Sequence, residues 1–324
     1  MTTTLPAFSD AEKLKSHRLL AAQVARMMGR KLEEDDWATV YCVAKGIPKQ
    51  GWSNLNLDIM HGRLGIEHKM IKRSADRPLM SYCGEGIMHP SATRSIRIPT
   101  GENNPNKVMK AVLTQYADLI EQRRAKVESQ SSGKPADMRT GWLLWQETLR
   151  EFLYFEERME IPDTKGLYAV WNERETRGSR KASRNLWIYD SESKEKKYSV
   201  TTDAGAKIQP YFKVPLPDDK HLYHFVVQGE PYDQGVVRMW ITPATAAQLQ
   251  HILGSLDWET VSDAVLAARL QKVAADELTA NPDIVEVCIS EKAYERLRRD
   301  TEGVSDEHCV QLLVRQLGAK RKNG

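Results

Sequence analysis

Apolar positions along the chain fall into three successive regimes. From Asp10 to about Arg30, Leu14, Leu19, Ala22, Val24, Ala25 and Met28 favour one side of a helical wheel, which predicts a first helix. Glu33 to Ala44 predicts a second, with acids in the first turn where the helix dipole favours them. Gly46, Pro48 and Gly51 break it. Residues 57–70, "LDIMHGRLGIEHKM", then place two short apolar runs around Gly62 and Gly65, the pattern of a β-hairpin. The alternating run "TRSIRIP" predicts a short strand carrying Arg94 and Arg97, and "NPNKVMKAVLTQYADLIEQRRAKVES" predicts a long amphipathic helix capped by Asn104 or Asn106. A Ser/Gly/Pro stretch, "SQSSGKPADMRTG", reads as a linker, and "WLLWQETLREFLYFEERM" as an aromatic-rich helix.

From about Lys165 to Thr242 the period changes. "GLYAVW", "RNLWIYD", "KKYSVTT", "IQPYFKVP", "LYHFVVQG" and "GVVRMWIT" are strand-like runs separated by turn chemistry. From Ala244 the pattern returns to helix. The expected organisation is a first unit over 1–130, a linker and helix over 131–164, a β-rich region over 165–243 and a helical region over 244–324.

The 324 residues are enough for one large domain or two modest ones, and 41% hydrophobic with 28% charged is the balance of a globular protein. No apolar run approaches the roughly 20 residues of a membrane helix. The N-terminal stretch has no charged-then-apolar signal pattern, and Cys42, Cys83, Cys288 and Cys309 form no CxxC pair. Reduced thiols and a cytoplasmic location are expected. A net charge of +3 permits a polyanionic partner without requiring one.

Charge inside the hairpin changes this picture. Alternation puts Glu67 and Lys69 on one strand face and His68 on the other, and Asp58 on the neighbouring run joins Glu67 and Lys69 if the register allows. Converging carboxylates repel unless a cation lies between them, and their hard oxygens suit Mg²⁺. A lysine alongside can orient or deprotonate a water and offset charge on a phosphate. The plainer alternative is an amphipathic hairpin whose Glu67 and Lys69 form a solvated face. His221 and His224 lack the further ligands of a zinc site, and His308 and Cys309, adjacent on a helix, make a weak nucleophile–base pair.

Asp58, eight residues, then Glu67-His68-Lys69 resembles the D-(x)n-(D/E)-x-K signature of the PD-(D/E)xK nuclease superfamily, which includes many type II restriction endonucleases. Leu57 stands where the signature has proline. The resemblance covers about the first 130 residues. It implies an α/β (α+β) fold with a restriction-endonuclease-like core, a mixed β-sheet flanked by helices. To this the pattern adds a β-rich recognition region and a helical C-terminal part. It further implies that Asp58 and Glu67 bind Mg²⁺ and that Lys69 is the catalytic lysine. An acid of the preceding helix, Glu33 or more particularly Glu34, is a further candidate for such a site.

Between Trp171 and Trp187, Arg174, Arg177, Arg180, Lys181 and Arg184 surround Gly178-Ser179. A basic loop between strands suits insertion into a DNA groove, with Arg94 and Arg97 as further phosphate contacts. Glu173 and Glu175 dilute the patch, so a solvated hairpin tip is the competing reading. The expected function is a Mg²⁺-dependent endonuclease on double-stranded DNA, of restriction or defence type, acting as a homodimer. A structure-specific resolvase or a modification-dependent nuclease fits the same features. From another class, a non-catalytic nucleic-acid-binding protein would use the β-rich region alone.

Overall fold

The N-terminal helices form where the apolar stripe runs. α1 spans Asp10–Met27 and buries Leu20, Ala21, Val24 and Ala25. α2 spans Glu34–Lys45, buries Trp37, Val40 and Tyr41, and stops at Gly46, whose φ of 67° is left-handed. The computed structural model describes residues 4–27, 30–48, 57–90, 96–174, 183–202, 207–268, 283–301 and 305–322. Among them the chain is mixed α and β, with seven α-helices and three sheets.

The first sheet contains β1 (Thr4–Leu5), β2 (Ile59–His61), β3 (Leu64–Arg73), β5 (Asp137–Gln146), β6 (Glu151–Arg158) and β11 (Tyr223–Val226); β4 (Gly86–Met88) belongs elsewhere. Its order is β1-β6-β5-β3-β2, with β11 also on β6. β3 and β5 run parallel over their full lengths; the other pairs are antiparallel. The parallel pair needs a crossover, and α3 (Pro105–Gln130) supplies it. Asn104 caps α3, its side chain accepting from the amides of Asn106 and Lys107.

The second sheet runs β4-β10-β9-β8-β7, where β7 is Leu167–Arg174, β8 Ser183–Asp190, β9 Lys196–Thr201 and β10 Lys207–Lys213. α3 lies between the two sheets. Val108, Val112, Ile120 and Val127 share one core with Met138 of the first sheet and Ala169, Leu186, Ile188 and Val200 of the second. The opposite face of the first sheet packs on α1 and α2 through Trp37, Tyr41, Ile59, Ile66, Phe152 and Tyr154.

A third sheet, β12 (Glu230–Asp233), β13 (Val236–Ile241) and β14 (Val285–Ser290), carries α4 (Pro243–Leu253), α5 (Trp258–Ala267), α6 (Glu291–Asp300) and α7 (Asp306–Lys322) around its own core.

Three expectations are corrected. The stretch expected as linker and helix, 131–164, holds β5 and β6, which sit inside the first sheet. Trp142, Leu143 and Leu144, and Phe152 through Phe155, are fully buried on both faces of their strands, so their apolar runs show no alternation. The C-terminal region is not purely helical, because Val285, Val287 and Ile289 alternate as a strand paired with β13. Arg97 does not lie on a strand: residues 96–99 are irregular, with the Arg97 amide and carbonyl both held by the Gln115 side chain of α3. Among the described residues no helix is long and apolar enough to cross a membrane, and all four cysteines are free thiols.

Candidate functional site

The β2–β3 turn fixes where the charges meet. Gly62 takes a φ of 55° while Arg63 stays out of the left-handed region, the arrangement of a two-residue type II′ turn. The ladder then pairs His61 with Leu64, Met60 with Gly65 and Ile59 with Ile66. Past the last ladder pair the Asp58 amide donates to the Ile66 carbonyl at 3.0 Å, the carbonyl already opposite Ile59, so the pairing departs from the ladder at Asp58, and the Asp58 carboxylate is held against β3 by the His68 amide. Ile59 and Ile66 face α1 and α2. Glu67 and Lys69 share the face toward α3, where Arg123 meets Glu67. Asp58 lies close enough for both to act on its carboxylate.

Glu67 is almost wholly buried and is gripped by two cations. Lys69 Nζ lies 2.6 Å from its Oε1, and Arg123 of α3 reaches Oε2 at 3.2 Å and Oε1 at 3.4 Å. The Arg123 side chain is fully buried. A carboxylate offers about four lone-pair sites, so these contacts do not by themselves bar a metal from Glu67.

Asp58 is half-buried, with Oδ2 accepting from the His68 amide. Burial pushes its pKa up to about 6; the His68 amide and Lys69 oppose the rise, whereas Glu67 and Glu34 reinforce it. Glu34, the first residue of α2, is exposed and close enough to act on Asp58, whereas Glu33 holds the N-cap position and its amide donates to Asp36.

His68 points to the opposite side, where Nε2 lies 3.1 Å from Tyr154 Oη. Tyr154 donates to Glu156 at 2.9 Å, and Glu156 accepts from Arg139 at 2.8 Å. Because Tyr154 donates onward, it accepts from His68, which fixes the Nε2–H tautomer. Burial, with Lys69 nearby, lowers the His68 pKa to about 3, so the ring is neutral. This network anchors the β3 backbone whose amide holds Asp58. Gly141 makes room for it: a Cβ there would lie 2.4 Å from Tyr154 Oη and 2.6 Å from His68 Cδ2.

Two residues near the site are absent from the sequence expectations. Arg123 sits in the apolar stripe Tyr116, Ile120, Val127 of α3, and a charge inside such a stripe is the signal that marks it. His89 is lowered by burial and by Lys69, with Glu34 and Glu67 acting the other way, which locates it beside the cluster. It lies in irregular sequence that offers no pattern. His61 is exposed, at the turn end of β2.

The basic-loop candidates are only partly located. Arg94, Arg177, Arg180 and Lys181 lie outside the described residues, as does the Arg174 side chain at the end of β7. Arg184 is tied back on β8, its guanidinium 3.9 Å from the Trp171 ring centroid and 3.0 Å from Glu173. Arg97 is exposed.

A cleft of about 1150 Å³ is lined by Tyr116 of α3, Thr140 and Arg158 of the first sheet and Tyr198 of the second, and reaches the margin of β9 and β10 at Lys196, Tyr211 and Lys213. Thr140 is the β5 partner of Glu67. Among the described residues, no three His, Cys, Asp or Glu side chains gather to hold a metal. One or two carboxylates are what Mg²⁺ commonly takes, since it keeps several waters and completes its shell with substrate phosphates. Asp58 and Glu67 fit that sparse requirement. Comparisons with family models, with curated proteins and with solved structures give no match for this chain.

Proposed function

We propose that the chain is a Mg²⁺-dependent deoxyribonuclease of the PD-(D/E)xK type, hydrolysing phosphodiester bonds in double-stranded DNA. The observation that carries this reading is the β2–β3 hairpin itself, where the His68 amide holds the Asp58 carboxylate and Lys69 lies 2.6 Å from the Glu67 carboxylate. Strand, crossover helix and parallel strand, in β3, α3 and β5, supply the mixed sheet flanked by helices that such a core requires.

Asp58 and Glu67 would hold the metal, which when bound neutralises the scissile phosphate and acidifies a water. The His68 amide orients Asp58. Lys69 places an ammonium where charge develops on the phosphate and hydrogen-bonds the attacking water. Arg123 holds Glu67 in place from α3. Glu34 is a further acid at the margin. Cutting both strands calls for a two-fold homodimer, and a restriction or defence role follows from a site-specific enzyme of this kind.

The test is cleavage of supercoiled plasmid with MgCl₂ and with EDTA. Asp58→Ala, Glu67→Ala and Lys69→Ala should each lower the rate at least about 100-fold. Undiminished cutting by Asp58→Ala and Lys69→Ala sinks the site. One observation favours a second reading: Glu67, Lys69 and Arg123 also form a self-contained buried ion cluster. On that reading the chain is a non-catalytic nucleic-acid-binding protein. It predicts DNA binding without cleavage of plasmid, RNA or modified DNA.

A further inference from the structure

The second sheet turns one face to α3 and leaves the other to solvent. Ala169, Leu186, Ile188, Val200 and Ile208 point inward to the shared core. Alternation sends the intervening residues outward. Cross-strand partners then form rows on the outer face: Tyr168, Tyr189 and Lys196 in one, Val170, Trp187, Ser199 and Gln209 in the next, and Asn172, Asn185, Thr201 and Lys207 in a third. Tyr211 adjoins the first row from β10, and its own partner Met88 on β4 is 45% exposed.

Large aromatics half-exposed on a sheet face are not explained by folding, because the core lies on the other side. Here they are contiguous. Tyr168 and Tyr189 stack with ring centroids 5.5 Å apart at 21°. Lys196 Nζ sits 3.3 Å from the Trp187 centroid, 5.3 Å from Tyr211 and 5.8 Å from Tyr189. Lys194 Nζ lies 5.4 Å from Tyr168. The outward strand positions in these rows carry Lys196 and Lys207 and no carboxylate. Glu195 at the margin lies 2.5 Å from Lys213 and 3.5 Å from Lys197.

We propose that this outer face binds an unpaired DNA strand, stacking its bases on Trp187, Tyr189 and Tyr211 and holding its phosphates with Lys196 and Lys207. The choice of DNA rests on the nuclease reading above; the stacking platform does not. Aromatic rings accept any base by its π-face, and interleaved cations track the backbone. Lys196 shields the Trp187 ring in the absence of a strand, and a phosphate withdraws it, trading an exposed cation–π contact for a base stack and an ion pair. Duplex DNA does not fit in the same way. Five strands present a face roughly 19 Å across, wider than the ~12 Å major groove, so a paired base is out of reach. Asn185 and Gln209 supply donors and acceptors for base edges. A neutral glycan also stacks on aromatics, but it makes no use of the positive charge that Lys196 and Lys207 bring to these rows.

The experiment is fluorescence anisotropy with a labelled 20-nucleotide oligothymidylate in EDTA, where no cutting occurs. The native chain should bind it more tightly than a 20-base-pair duplex. Trp187→Ala should weaken binding about tenfold and Tyr211→Leu several-fold, while Trp187→Phe keeps most of it. Lys196→Gln and Lys207→Gln should each reduce the slope of log affinity against log salt by about 0.7. The proposal is overturned if the oligonucleotide does not bind, or if Trp187→Ala and Tyr211→Leu bind within twofold of the native chain. Tighter binding of an oligouridylate, or Trp187-dependent binding of cellohexaose, overturns the assignment to DNA. Asp58→Ala should bind the oligonucleotide like the native chain. Strand binding by a native chain that cuts no DNA in Mg²⁺ refutes the nuclease reading and leaves this one standing.

Discussion

Arg123 ion-pairs with Glu67 through both terminal guanidinium nitrogens, at 3.2 Å and 3.4 Å, from a position on α3 with no solvent exposure. The pair ties the crossover helix to the strand that carries the candidate chemistry. Removing one member of a buried pair leaves an uncompensated charge, which is worse than replacing both. Arg123→Leu should therefore destabilise the chain by about 3 kcal/mol, less if Lys69 partly compensates Glu67. Arg123→Leu combined with Glu67→Gln should recover part of the loss. Urea unfolding of the single and double variants measures both effects.

Gly141 is held to its identity by crowding. Its backbone is unremarkable, but a methyl group would meet Tyr154 Oη and His68 Cδ2 well inside contact distance. Both side chains are buried and hydrogen-bonded to each other, so neither yields easily. Gly141→Ala should cost about 1–3 kcal/mol, read as a lower midpoint in thermal unfolding. Gly133→Ala is a different case, a strained left-handed φ of 75° in open space, and it should leave the His68–Tyr154 contact intact.

Glu151 gives the chain a pH-dependent clamp between β6, β11 and the 3-10 turn at Leu79–Tyr82. It accepts from His224 at 2.8 Å and from the Leu79 amide at 3.0 Å. Burial opposes ionisation, but His224 and the Leu79 amide outweigh it and hold the pKa below the usual 4.5. A lowered folded-state pKa means the clamp contributes fully above about 4.5 and loses its contribution as pH falls through the lowered value. The stability difference between the native chain and Glu151→Gln should accordingly be flat near neutrality and shrink below pH 4.5. Chemical unfolding at a series of pH values tests it, and a difference that grows on acidification refutes it.

Glu307 organises the C-terminal unit. It is fully buried and accepts from the Thr242 amide and the hydroxyls of Thr242 and Thr245, and from Gln311. Glu307→Ala strands these donors in a dry interior and should cost about 3 kcal/mol. The loss should appear as faster proteolysis within 243–322, with β3 and β5 amides keeping their hydrogen-exchange protection.

The hairpin was legible because its signals are local. Gly62 marks the turn, and two strands of opposite parity decide the rest. β5 and β6 were not legible, because Trp142 through Trp145 and Phe152 through Phe155 are apolar at every position. A strand buried on both faces and a buried helix look the same in such a run. The strand-like runs from β7 to β10, β11 and β13 were all readable, but nothing local says that β11 joins the first sheet and β13 the third. In the site, Asp58, Glu67 and Lys69 come from one short stretch. Arg123 is 56 residues from Glu67 in the chain, so only the fold could bring it there.

α3 has a consequence beyond packing. It sends Arg123 to Glu67 in one layer and sets Tyr116 against Tyr198 in the other, with ring centroids 6.4 Å apart. A helix moves as a rod, so a tilt that loosens one contact displaces the other as well. Any occupant of either layer that shifts α3 alters affinity in the second, and linkage makes the influence equal in both directions.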